Sequence, residues 1–309
     1  MTSLLVTLVQ EYILLNFFCI HETTRSLNFV NRESSLRYAK IGGEMRMKKY
    51  WLVFKTAAQD QIAERVNVLF WIVLLLLPLA SFIFLWITVY SQNQSIGGFH
   101  LNELITYYFG VSILNWISIW AHWGIDYNIR EGRLNTYLVR PLNYFSYKFA
   151  KMVGKDITHS VLGLPIFAAV GFVIKDYLTL PISTTWFLLI IMAVVLSILL
   201  QYIFSFCLGT VTFWTLEGTG FFYFIHTVVN FSGGTTLPLS AFPATIKSVL
   251  GFLPFRFFYS FPMELYLGKL DTVQVLHGFI IQGFWITAFY LLYRLLWSRG
   301  LKRYSAFGG

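Results

Sequence analysis

Residues Val68 to Tyr90 read VLFWIVLLLLPLASFIFLWITVY, and no charged residue stands anywhere between Arg65 and Glu103. The run exceeds the roughly 20 apolar residues that an α-helix needs to cross the hydrocarbon of a bilayer. Pro78 removes one intrahelical donor, so it predicts a bend within this span and not its end. Composition agrees: 57% of the chain is hydrophobic, 19% aromatic and 12% charged, with a mean hydropathy of +0.64. Soluble domains carry about 25% charged residues. The formal net charge of +9 is concentrated beside apolar segments, where anionic lipid and not nucleic acid is the natural partner. Cys19 and Cys207 are too few and too far apart for a disulfide framework or a metal site.

On the N-terminal side, Trp51, Phe54, Ala58, Ile62 and Val66 recur every three or four residues, with Lys55, Gln59, Asp60, Glu64 and Arg65 on other faces. This predicts an amphipathic helix lying along the inner membrane surface; a solvated extension of the first span is the alternative. Residues 1–46 form a separate N-terminal extension. One reading is a mis-assigned start, with Gly42-Gly43-Glu44 translated from a purine-rich ribosome-binding sequence ahead of Met45 and Met47; the other is an extra interfacial helix. The domain proper is residues 47–309.

On the C-terminal side the expected fold is all-α and polytopic, with six transmembrane helices. Span two is Leu104–Ile125, span three Ile157–Ile174 with a backward extension through Phe149–Gly154 as the alternative, span four Thr184–Thr210, span five Gly220–Leu237 and span six Thr272–Tyr293. Between spans five and six, Leu239–Gly268 holds three prolines with Lys247, Arg256 and Glu264, which predicts short re-entrant or interfacial helices on the outer side. An Arg256–Glu264 pair is one option there, although eight residues and a proline separate the two.

Positive charge sets the orientation. Lys48, Lys49, Lys55 and Arg65 precede span one, and Arg294, Arg299, Lys302 and Arg303 follow span six, which puts both termini in the cytoplasm. The loop Asp126–Asp156 carries Arg130, Arg133, Arg140, Lys148, Lys151 and Lys155, and belongs on the same side. Near the end of span two, Trp116, Trp120 and Trp123 read as interfacial anchors. His122 reads as a hydrogen-bonded histidine near the headgroups, with a proton or cargo contact as the alternative.

No GxxxxGK[ST] phosphate loop, HExxH, CxxC or GxSxG elbow is present. No acidic residue interrupts the expected spans one to four or six, so a carrier built on an intramembrane carboxylate has little to work with. The energy source is expected in another protein.

Three segments resemble one family: MKKYWLVFKTAAQDQIAERVNVLFW at the start, IREGRLNTYLVRP (Ile129–Pro141) followed by LNYFSYKFA, and FSGGTTLPLSAFPATIKSVLGFLPFRFFYSFPMELYLG near the end. In this order they are similar to ABC-2 type transporter permease subunits, from about Met47 to Arg303. The resemblance implies a non-enzymatic permease, an exporter architecture in the inner membrane, a second permease subunit (a copy or a paralogue) and a separate ABC ATPase. It implies no cofactor in this chain, ATP being bound by that ATPase. It also implies an ATPase-coupling loop after span two, placed at Arg130, Glu131, Gly132, Arg133, Leu134, Leu138, Arg140 and Pro141. There Gly132 permits a tight turn, Leu134 and Leu138 supply apolar contact, and the charges fix register. The plainer reading of the same basic residues is orientation beside lipid headgroups. Polar and aromatic positions of spans two and five, Asn115, Trp116, Ser118, Thr227, Asn230 and Ser232, are either a cargo path or helix-packing positions. The competing function classes are a lipid-modifying membrane enzyme, for which Glu217, His226 and His277 are available without a recognised spacing, and a non-transporting assembly subunit.

Overall fold

The computed structural model describes residues 46–90, 99–179, 184–215 and 218–304, so the expectations for residues 1–45, and Glu217, lie outside the described residues. The chain divides into two units, Met1–Lys49 and Tyr50–Gly309. The first contributes only Arg46–Lys49 to the described residues, all helical, and the second carries the membrane fold.

Among the described residues all regular structure is helical. The helices are α1 (Arg46–Ala63), α2 (Arg65–Tyr90), α3 (Leu101–Trp116), α4 (His122–Arg130), α5 (Asn135–Leu138), α6 (Tyr144–Val173), α7 (Thr184–Thr210), α8 (Thr219–Ser232), α9 (Ala244–Phe252), α10 (Ser260–Tyr266) and α11 (Thr272–Arg303). Among the described residues four stretches are long and apolar enough to cross a membrane: Val66–Tyr90, Tyr144–Val173, Trp186–Phe213 and Thr272–Arg303. Their exposed faces are apolar, with Phe70, Val73, Leu77 and Phe84 on α2 and Leu276, Ile280, Phe284 and Leu291 on α11. Outward apolar faces of this kind suit lipid, which rewards them where water would not.

The expected amphipathic helix is α1, but its inward face differs from the stripe read in the sequence. Val53, Ala57 and Gln61 are buried, whereas Trp51 and Ile62 are exposed. Burial of Val53 and Ala57 follows from the close approach of α6, where a Cβ on Gly154 would collide with the Phe54 carbonyl oxygen. Trp51 and Ile62 are thereby left outward.

Spans two and five depart from their expected form. Span two is not one helix: α3 stops at Trp116, and α4 resumes at His122. The break is tolerated because the freed backbone donors of Ala121 and His122 both reach Ser205 Oγ on α7, at 2.6 and 3.0 Å. Span five contains a helix of only 14 residues, α8, which ends at Ser232 before the left-handed Gly234 (φ 85). A side chain at Gly234 would collide with Ser260 Oγ and the Tyr107 hydroxyl, so glycine is required there for both space and conformation.

Span three begins earlier than expected. Asn143 Oδ1 accepts from Ser146 N at 3.1 Å and caps α6, a 30-residue helix. Lys148, Lys151, Lys155 and Asp156 therefore sit in a helix and not in a loop, and Asp156 lies within a candidate span, contrary to the expectation that no acidic residue does. Span six likewise runs past Tyr293 to Arg303, capped at its start by Asp271 and Gln274.

The proline-rich region folds as α9, which is largely exposed, followed by the turn Pro254–Phe258 and α10, which are largely buried. Its irregular carbonyls are met by α7: Ser197 Oγ donates to the Phe257 and Phe258 carbonyls, and Gln201 Nε2 to Phe258 O. The Arg256–Glu264 pair does form, with Nη2 2.6 Å from Oε2, because the 3-10 turn and α10 fold back within those eight residues. Tyr107 of α3 donates to Gly234 O at 2.8 Å, and Lys269 pairs with Glu103 at 2.6 Å.

Candidate functional site

The loop after α4 is built from a helix end. Glu131 N donates to Tyr127 O and Gly132 N to Ile129 O, and Gly132 adopts φ 66, the left-handed termination that glycine accepts without strain. The chain then turns back, and Leu134 N donates to Asn128 O at 2.8 Å. Leu134 is 0% exposed. It anchors the loop from inside, so of the two leucines expected to offer apolar contact only Leu138 is available, joined by Val139 at 83% exposed, which the sequence reading missed.

The charged members divide in the same way. Arg130 is engaged within the chain: Nε and Nη2 both reach Asp126 Oδ2, at 2.9 and 2.7 Å. Arg133 lies over the Tyr127 ring at 4.8 Å and Arg140 over Tyr137 at 5.7 Å, which holds both guanidinium groups close to the loop surface. Glu131 and Pro141 are exposed. The segment Glu131–Pro141 therefore presents Glu131, Leu138, Val139 and Pro141 outward, with Arg133 and Arg140 between them.

Beneath that surface α4 is fastened on several sides. Lys148 Nζ on α6 donates to Gly124 O at 3.0 Å, and Asn128 Nδ2 donates to the Tyr144 hydroxyl at 2.7 Å. Tyr144 in turn stacks on Trp297 of α11, with centroids 5.1 Å apart. Thr212 Oγ1, just past α7, donates to Asp126 Oδ1 at 2.8 Å. A Cβ on Gly209 would lie 2.7 Å from Ile125 Cβ, so α4 and α7 touch almost backbone to backbone. At the start of α4, His122 meets Ser205 on α7 and His226 on α8. Lys148 had no such role in the sequence reading, and His122, read there as hydrogen-bonded, had no named partner, because the residues in contact are separated by 24 and 104 positions.

The six positions read as a cargo path or as packing positions differ in burial and in their bonding. Trp116 is buried against α6, stacked on His159 at 3.8 Å. Ser118 donates to Leu114 O and stands 3.5 Å from the Tyr259 hydroxyl. Asn115 is half-buried beside them on α3. On α8, Thr227 is exposed and bonds to its own helix at Tyr223 O, Ser232 is buried and bonds to Val228 O, and Asn230 supplies its carbonyl to Thr235. Among the described residues no group of three or more His, Cys, Asp or Glu could hold a metal ion.

In comparison with known families, the profile described as ABC-2 family transporter protein matches residues 75–308. It thus takes in α3 to α11, the loop and most of α2. No curated protein sequence gives a significant match.

Proposed function

Because the chain belongs to the ABC-2 transporter family, we propose that it is the transmembrane permease subunit of an ATP-driven exporter whose ATPase is a separate protein. The chain is a multi-pass membrane protein of a family of transport proteins, not of enzymes. The observation that carries the reading further is the construction of the Glu131–Pro141 loop. Its outer surface carries the exposed Glu131, Leu138, Val139 and Pro141, and its root, α4, is bonded to α6, α7 and α8 at once. A push on such a loop reaches three helices without passing through a flexible joint.

In this reading the ATPase docks on Glu131, Arg133, Leu138, Val139, Arg140 and Pro141, while Arg130, Gly132 and Leu134 hold the loop's shape. Six crossings put the loop and both termini in the cytoplasm, with α3 and α4 together as the second crossing, α8 as the fifth, and the α9–α10 region dipping in from the outer side. Two permease subunits frame the path, and closure of two ATPases shifts the population between inward- and outward-open arrangements. Asn115, Ser118, Thr227, Asn230 and Ser232, with Trp116, are the polar and aromatic positions proposed to line or brace that path.

The test is to purify the tagged chain from its own cells, identify the co-purifying ATPase by mass spectrometry, and reconstitute the complex in vesicles. The reading expects an ABC ATPase and ATP-dependent movement of a co-purified small molecule or lipid. A complex with no nucleotide-binding partner and no ATP-dependent movement overturns it in favour of an assembly subunit.

A further inference from the structure

The contact between α4 and α8 runs through two imidazoles, and its hydrogen bonds determine where the protons are. Ser205 Oγ lies 2.6 Å from Ala121 N, 3.0 Å from His122 N and 3.1 Å from His122 Nδ1. The two backbone N–H groups donate to the hydroxyl and occupy its two lone pairs, so its own proton goes to His122 Nδ1. In the neutral pair His122 is then protonated on Nε2, which donates to His226 Nε2 at 3.2 Å, and His226 carries its proton on Nδ1.

That spacing between two Nε2 atoms also suits neighbouring ligands of a tetrahedral metal. Metal binding, however, would require His122 Nδ1–H to become a third donor on the Ser205 oxygen, which has no lone pair left for it.

The same network has no place for a further proton. Its two unprotonated nitrogens, His122 Nδ1 and His226 Nε2, both already face donors. Protonating the first breaks the bond to Ser205 on α7; protonating the second sets two N–H groups against each other. The Ser205 side is fully buried and also holds the backbone of the α3–α4 break, whereas His226 is only half-buried. The α8 side is therefore the one that yields.

We propose that His122 and His226 form a one-proton link between α4 and α8 and that uptake of a second proton opens it, releasing α8 in acid. The groups facing the pair are Trp120 and Trp123 from the α3–α4 side, Ser205 from α7, and Phe222 and Tyr223 from α8, with Phe258 behind Trp120. Along α4 the next acid, Asp126, is held by Arg130 and Thr212. Among the described residues no carboxylate pairs with either ring to retain the added charge. The consequence for transport, that acid uncouples α8 from the loop, rests on the permease reading above; the link itself does not.

Two measurements on the full chain in lipid nanodiscs need neither ATPase nor cargo, so their failure is distinct from failure of the permease reading. With only six histidines in the chain, ring-¹⁵N NMR can assign His122 and His226 by single substitution. At neutral pH His122 is expected as the Nε2–H tautomer and His226 as Nδ1–H; His122 found as Nδ1–H or as imidazolium overturns the proposal. Hydrogen exchange of residues 219–232, corrected for intrinsic rate, is expected to lose protection about tenfold per pH unit once a single proton drives opening. His226→Gln keeps an acceptor for His122 and cannot be protonated, so its protection is expected to stay flat. A parallel loss in that variant overturns the proposal, and if the variant fails to insert, the tautomers of the unaltered chain decide alone.

Discussion

Thr212 Oγ1 donates to Asp126 Oδ1 at 2.8 Å, while the other oxygen of the same carboxylate holds Arg130. Asp126 is 2% exposed, so this one side chain joins the root of the loop to the end of α7 in a place that water does not reach. Thr212→Val keeps the shape and removes the donor. It is expected to destabilise the protein by about 1–3 kcal/mol, the cost of leaving a buried acceptor unsatisfied. Thermal unfolding in detergent checks this, and an unchanged midpoint would show that the bond carries no weight.

The loop's outer residues give the second prediction. Gly132→Pro together with Arg133→Glu is expected to leave insertion and expression intact, because neither side chain is in the packed interior, and to abolish ATP-driven transport. Proline cannot adopt φ 66, so the turn must open. Normal transport with normal ATPase association would remove the loop from the coupling role.

The third prediction compares two glycines. A Cβ on Gly154 would collide with the Phe54 carbonyl, and backbone cannot move aside as a side chain can; a Cβ on Gly283 meets nothing within 4 Å. Gly154→Ala is expected to lift α1 from α6 and raise proteolysis around residues 50–63. Gly283→Ala is expected to be neutral, or stabilising by up to about 1 kcal/mol through helix propensity. Equal behaviour of the two would contradict the close α1–α6 approach.

The fourth concerns Arg256 and Glu264, whose side chains are 22% and 9% exposed. Glu264→Leu leaves a guanidinium largely enclosed and without its partner, at a cost of about 3 kcal/mol. Replacing both by Leu and Met removes the uncompensated charge and is expected to recover most of that loss. A double variant as unstable as the single one would mean that the pair also serves another contact.

Much of this was legible in one dimension. Apolar runs announce themselves by length, and α7 begins and ends where the sequence reading put it, Thr184 to Thr210. The glycine in the loop was legible too, because a left-handed turn at the end of a helix restricts the residue type at that position. The breaks were less so. Nothing near Ile117–Ala121 signals an interruption, since the group that makes it tolerable, Ser205, is supplied from another helix.

The sequence by itself determined that this is an α-helical membrane protein and where its loop turns, since these follow from hydropathy and backbone permission acting locally. Only the tertiary structure decided that Leu134 faces inward and Arg130 is tied to Asp126, that Lys148 and Asp126 fasten α4, and that two histidines 104 positions apart share a hydrogen bond. Those outcomes depend on which helices pack against α4. In a chain with this much apolar surface, many packings satisfy the same hydropathy, and the few buried polar groups select among them by finding partners.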